Sequence, residues 1–381
     1  MTDEELHRPL VGQPGSRQAL NTPALILDLA ALKANITRMA EFAASRGLAL
    51  RPHVKTHKSP HIARLQIEAG AIGLCCAKIG EAEVMAEHGL TSGLHLTSPV
   101  VSPPAMQRMA ALNLRTQDLS CVVDHPANVD ALGDAARAAG RPLGVMIDID
   151  PGIRRTGVGS PAAALLLLQA IRREPFLRFA GVQCYCGTHQ HIESFAARRQ
   201  AMVERNAFIA EIIEALAAAD ARPHVITGGG TGTHRIDAEL GLFTELQVGS
   251  YVFMDREYLA CDLAGDGGPP PFQTSLMVDA RVVSANSPGL VTVDAGFKAF
   301  STDAGEPFVL TGAPEGSTYR FMGDEHGALL LPPGVNLPLA SPVTFGVPHC
   351  DPTVNLYDTY HVVEADTLYA LWPVAARGRS R

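Results

Sequence analysis

Two lysines and two histidines crowd the stretch LRPHVKTHKSP, where His53, Lys55, His57 and Lys58 fall at the end of an apolar run. Among apolar neighbours an amine loses its preference for the charged form, and adjacent cationic groups push the same way. A lysine so placed can condense with an aldehyde, although alone it fits one end of a surface salt bridge as well. Further along, ITGGGTGT sets three glycines, 228–230, between Thr227 and Thr231. Consecutive glycines let backbone N–H groups turn toward an anion, commonly phosphate, and an ordinary strand-to-helix turn has the same composition. The nearby VGSY, ending at Tyr251, offers a second short glycine–serine turn. A third cluster is HCD: on an extended strand His349 and Asp351 would share a face while Cys350 pointed away. One imidazole and one carboxylate leave positions for water and substrate, which suits Mn²⁺ or Mg²⁺ better than a closed zinc site. By spacing alone the same residues also fit a turn or cap before Pro352.

The chain that must position these groups has 381 residues, 46% apolar and 18% charged, enough for a large core and two domains. Eight apolar runs, each bounded by glycine or proline and most followed by helical spacing, predict strands at 48–55, 73–78, 93–99, 118–124, 142–150, 179–187, 222–230 and 245–251. Strands apolar on both faces with crossover helices pair in parallel, and eight such units match a closed (β/α)8 TIM barrel. After the helix-breaking AGDGGPPPF (264–272) the apolar residues alternate in period two, which predicts a β-rich second domain over 272–381 without a helix. The expected division is an N-terminal extension (1–21), a barrel (22–264) and the β-rich domain that carries His349 and Asp351.

At the C-terminal mouth of such a barrel the strand ends offer Lys55, Lys78, Asp148 or Asp150, Tyr185, glycines 228–230 and Gly249 to Tyr251. A lysine amine beside adjacent phosphate-type loops suggests pyridoxal phosphate.

RPHVKTHK, GLCCAKIGEAE, GIRRTGV, GVQCYCG, ITGGGTGT, TELQVGSYVFMD, VDAGFKAF, DEHG, PHCDPTVNLYD and WPVAARG together resemble the D-threonine aldolase group of alanine-racemase-like, fold type III pyridoxal-phosphate enzymes. The group stands beside 3-hydroxy-D-aspartate aldolase and D-serine dehydratase, and the resemblance runs from Thr22 onward in the same order. It implies a barrel plus a β domain, a homodimer, pyridoxal 5'-phosphate and a divalent metal. Carried onto this sequence, Lys55 would hold the cofactor covalently, Arg155 would lie against its phenolic oxygen and Tyr185 against its ring nitrogen. A tyrosine there in place of a carboxylate tempers the ring as an electron sink. Thr227, Gly229, Gly230, Gly249, Ser250 and Tyr251 would surround the phosphate. The resemblance also places His191, of GTHQHIESF, near a substrate hydroxyl, and makes His349 and Asp351 metal ligands, with Asp351 where the dehydratases have cysteine. Ala77, Arg154 and the FKAF run depart from the group's pattern and bear on the substrate pocket.

The implied reaction is retro-aldol cleavage of a small-molecule D-3-hydroxy amino acid of D-threonine type to glycine and an aldehyde. The alternatives are 3-hydroxy-D-aspartate as substrate, with Arg154 or a histidine meeting its second carboxylate, and then a dehydratase. A non-catalytic carrier of the cofactor resembles a barrel alone, so the β-rich domain counts against it. The formal charge of −8 gives no basic footprint for nucleic acid, and no run of about 18 apolar residues predicts a membrane span. An odd cysteine count of seven and a polar, acidic start fit a cytoplasmic protein without a disulfide framework.

Overall fold

The computed structural model describes residues 2–381. After β1 (Ala24–Asp28) come the barrel strands β2 (Ala49–Leu50), β3 (Leu74–Cys76), β4 (Leu94–Leu96), β5 (Ser120–Val123), β6 (Leu143–Asp148), β7 (Leu177–Cys184), β8 (Ile226–Gly228) and β9 (Glu245–Leu246). They form one parallel sheet in the order β2-β9-β8-β7-β6-β5-β4-β3. Its two ends meet where Val54 N–H donates to the Cys75 carbonyl (2.8 Å) and Cys75 N–H to that of Pro52 (2.9 Å), closing the barrel.

The local sequence explains the crossover helices. Ser102, His125 and Ser160 each accept a first-turn N–H and are followed by proline, whose fixed φ suits the first helical position. Helix Pro161–Arg173 buries Ala164, Leu167, Leu168 and Ile171 against the sheet. Leu166, on its far face, is 61% exposed.

The second domain adds β10 (Leu276–Ser287), β11 (Leu290–Val293), β12 (Phe308–Thr311), β13 (Thr318–Phe321), β14 (Gly327–Leu330), β15 (Pro342–Gly346), β16 (Thr359–Glu364) and β17 (Thr367–Pro373). Two features depart from the sequence reading. β1, assigned by sequence to the barrel, pairs antiparallel with β10 and parallel with β16 in the middle of this second sheet. Its residues are apolar on both faces: Leu25 and Leu27 join the main core, and Ala24 and Ile26 pack with Leu20, Met277, Val363 and Leu368. A helix also occurs where none was expected, at Cys350–Val354.

Residues before β1 are tied to this sheet by a chain of hydrogen bonds. Asn21 N–H donates to His7 Nε2 (2.9 Å), which leaves the His7 proton on Nδ1, 2.8 Å from His361 Nε2. His361 Nδ1 in turn faces the Leu25 carbonyl at 3.2 Å. Every ring nitrogen is satisfied with both imidazoles neutral, and burial holds His361 down to about 4.

His57, His95 and His234 are likewise pulled from 6.5 to about 4 by burial, and His53 is held well below its ordinary value. These groups protonate in the unfolded chain first, so stability is full above 6.5 and falls as pH drops through 6.5 toward 4. The four histidines held near 4 are each worth at most roughly 3 kcal/mol, so at half that value they together reach the low end of the usual margin of about 5–15 kcal/mol. Urea midpoints should therefore be level near pH 7.5 and fall from about pH 6.5 to pH 5. A midpoint unchanged over that range would contradict the neutral assignment.

Candidate active site

Lys55 does not end a strand. Regular pairing of β2 stops at Leu50, and residues 54–58 form a turn in which the Val54 carbonyl accepts from both His57 N–H (3.2 Å) and Lys58 N–H (2.7 Å). Lys58 has φ +51 and lies buried, its Nζ 3.2 Å from a Glu81 carboxylate oxygen. The Glu81 carboxylate also accepts the N–H groups of Ala77 (2.8 Å) and Lys78 (3.3 Å), so one ion pair pins the ends of two neighbouring strands. His57 faces Gln66 and His53 faces Thr97. The four groups of RPHVKTHK thus divide: Lys55 and His53 line the cavity at the barrel mouth, and His57 and Lys58 brace the turn.

Above that mouth is a cavity of about 740 Å³, within the range of small-molecule sites. Lys55, Arg155, Tyr185, His191, Gly230, Gly249, Ser250 and His349 all line it. The Arg155 guanidinium lies 5.7 Å from the centre of the Tyr185 ring. Three residues expected at the phosphate do not line it. Thr227 is fully buried and accepts from Gln247 (2.9 Å), and Gly229, at φ +69, shapes the turn behind. The Tyr251 hydroxyl meets Gln66 (3.1 Å) and its ring packs on Phe272. Arg154 is exposed and does not line the cavity, whereas Lys78 does.

The loops fit an anion. Thr231 Oγ1 accepts Tyr251 N–H (2.9 Å) and so joins the two glycine turns. Among the described residues, the amides of Thr231, Gly249 and Ser250 have no protein acceptor. A Cβ at Gly249 would come within 2.6 Å of Thr56 Oγ1, and one at Gly230 within 2.5 Å of Gln190 Oε1, so only glycine leaves these walls open.

The Lys55 ammonium forms an ion pair with Asp351. Burial pulls the lysine down, but the Asp351 carboxylate outweighs it and holds the amine above its ordinary range. The expected lowering is therefore absent: His53 and His57 are neutral, and Lys58 is paired elsewhere. Lys55 in turn holds Asp351 well below the usual carboxylate range against the opposing effect of burial.

The strand reading of HCD is also corrected. His349 is extended (φ −141, ψ 126), but Cys350 begins a short helix because Asp255 Oδ2 takes its N–H at 2.9 Å. Cys350 is fully buried and its thiol is pushed well up by that burial. Asp351 instead reaches Lys55 from the first helical turn. His191 stacks at a tilt on Tyr258, 4.6 Å between ring centres, with Nδ1 3.9 Å from Glu257 and without a hydrogen-bond partner. His189 does not line the cavity.

Residues 27–257 match the family described as alanine racemase, N-terminal domain, and residues 275–363 a putative serine dehydratase domain. The chain is 38% identical to a D-threonine aldolase of an Arthrobacter species, covering 98% of this chain and 97% of that protein. The chain belongs to the D-threonine aldolase group of alanine-racemase-like proteins. A 3-hydroxy-D-aspartate aldolase of Paracoccus denitrificans (strain Pd 1222) is 37% identical over 96% of this chain and 95% of its own. The crystal structure of D-threonine aldolase from Filomicrobium marinum superimposes with a TM-score of 0.90 at 37% identity, covering 95% of this chain and 97% of that one. Two residues of this member escaped sequence reasoning: Asp255, the joint between barrel and β-rich domain, and Asp303, 2.7 Å from His349 Nδ1. Neither belongs to a periodic pattern, and each acts on a residue about 50 or more positions away.

Proposed function

We infer that this protein is a carbon–carbon lyase that cleaves D-3-hydroxy amino acids of D-threonine type to glycine and an aldehyde, using pyridoxal phosphate and a divalent metal. The observation that carries this reading is Lys55, in a cavity lined also by His349 and by the loops of Thr231, Gly249 and Ser250, with its amine paired to Asp351. Pyridoxal phosphate supplies, when bound, the electron sink into which a Cα–Cβ bond can break. Lys55 is the amine that would hold it, with the amides of Thr231, Gly249 and Ser250 toward its phosphate and Arg155 and Tyr185 about its ring. His349 and Asp351 would hold the metal, which supplies Lewis acidity at the substrate hydroxyl. Mn²⁺ or Mg²⁺ suits this donor pair, and the buried Cys350 thiol offers zinc no third ligand. His191, in the cavity wall, accepts the proton of that hydroxyl.

One observation favours the second substrate, 3-hydroxy-D-aspartate. Lys78, exposed at the cavity rim, provides a cation for another carboxylate, a role that Arg154 does not reach. Val101 also lines the cavity yet is 69% exposed, which supports a homodimer whose second copy covers the rim. Seven unpaired buried cysteines support a cytoplasmic setting. Among the described residues no helix is long and apolar enough to cross a membrane.

The deciding assay follows glycine release from D-threonine, D-phenylserine and 3-hydroxy-D-aspartate, with and without chelator. Glycine and the matching aldehyde are expected from at least one of them, in a chelator-sensitive manner. Formation of 2-oxobutanoate and ammonia from D-threonine would show a dehydratase instead.

A further inference from the structure

The segment 301–303 is laced to His349 along its backbone. Ser301 Oγ accepts His349 N–H (3.1 Å), and Ser301 N–H donates to Thr353 Oγ1 (3.0 Å), whose own hydroxyl donates to the His349 carbonyl (2.8 Å). This lacing brings the carboxylate of Asp303 to 2.7 Å from His349 Nδ1. His349 lines the cavity and Asp303 does not. With its Nδ1–H committed to a carboxylate, an imidazole keeps one lone pair, on Nε2, and its ring is fixed in one orientation.

We propose that Asp303 is a positioning residue for the metal centre: it fixes the tautomer and the ring plane of His349, so that Nε2 is the atom offered to a divalent cation beside Asp351. The inference rests on His349 and Asp351 being the metal ligands. Carboxylate–histidine–metal chains of this kind also raise the basicity of the ligating nitrogen, and loss of the outer carboxylate typically weakens metal binding 10–100-fold. The Asp303 side chain is 53% exposed, so its pair with His349 adds little to folding stability. Its role lies in ligand geometry, and its removal leaves the core intact.

The test is a titration of the holoenzyme with Mn²⁺, reading free metal by electron paramagnetic resonance, for the unaltered protein and for Asp303→Ala, Asp303→Glu and His349→Ala. Asp303→Ala should weaken Mn²⁺ binding about 10–100-fold and leave the cofactor's visible absorption unchanged. Asp303→Glu should recover most of the loss, and His349→Ala should abolish binding. Wild-type affinity in Asp303→Ala, beside no binding in His349→Ala, overturns the positioning role alone. Loss in Asp303→Ala as complete as in His349→Ala makes Asp303 a ligand and overturns it as well. If the unaltered holoenzyme binds no Mn²⁺, the assignment of His349 and Asp351 falls first and takes this inference with it.

Discussion

Lys55→Ala is expected to abolish glycine release and the cofactor's visible absorption band together. Lys55, which lines the cavity, is the amine proposed to react with the cofactor's aldehyde, and removing a covalent nucleophile costs on the order of 10³-fold or more. The neighbouring lysines cannot stand in for it. Lys58 is buried against Glu81 and Ser380 on the far side of its turn, and Lys78 sits exposed at the rim. Borohydride reduction of the loaded protein followed by peptide mass spectrometry should place the adduct on Lys55. An adduct on Lys58 or Lys78 would overturn the assignment. The substitution also strands the Asp351 carboxylate without its partner, so some loss of thermal stability should accompany the loss of chemistry.

The second large effect is expected at Asp351. Asp351→Ala removes both the counter-ion of Lys55 and one of the two proposed metal ligands, and activity should fall by on the order of 10²-fold or more. Chelator should abolish glycine release, with Mn²⁺ or Mg²⁺ restoring it. Cys350→Ala makes the sharper control. Its side chain is buried behind the short helix, so the change opens a small void worth about 1 kcal/mol of stability and leaves metal binding in place. The reverse pattern, metal binding lost in Cys350→Ala and kept in Asp351→Ala, would falsify the ligand assignment.

The regular parts of this fold were legible because they obey local rules. Both-face apolar runs with glycine or proline boundaries located every barrel strand. What local pattern missed is irregular backbone held by distant partners. Lys55 sits in a turn stabilised by a Lys58–Glu81 pair, and Cys350 enters a helix because Asp255 captures its N–H. Period-two reasoning cannot see either contact. The lysine's pKa went wrong for the same reason, since Asp351 lies 296 residues along the chain from the amine it charges. Arg155 and His191 came from resemblance alone. Their place in the cavity wall is a property of loops, and loops carry no periodic signal.

The central position of β1 has a consequence for synthesis. Residues 24–28 leave the ribosome ahead of every barrel strand, but their pairing partners in β10 emerge about 250 residues later and those in β16 later still. The barrel strands all lie between these points, so the barrel can assemble on the nascent chain while ALILD, apolar on both faces, waits unpaired. A segment in that state is a sticky edge during translation. The second sheet can therefore close only once β16 has emerged, and truncations that remove β16 leave one edge of β1 unpaired.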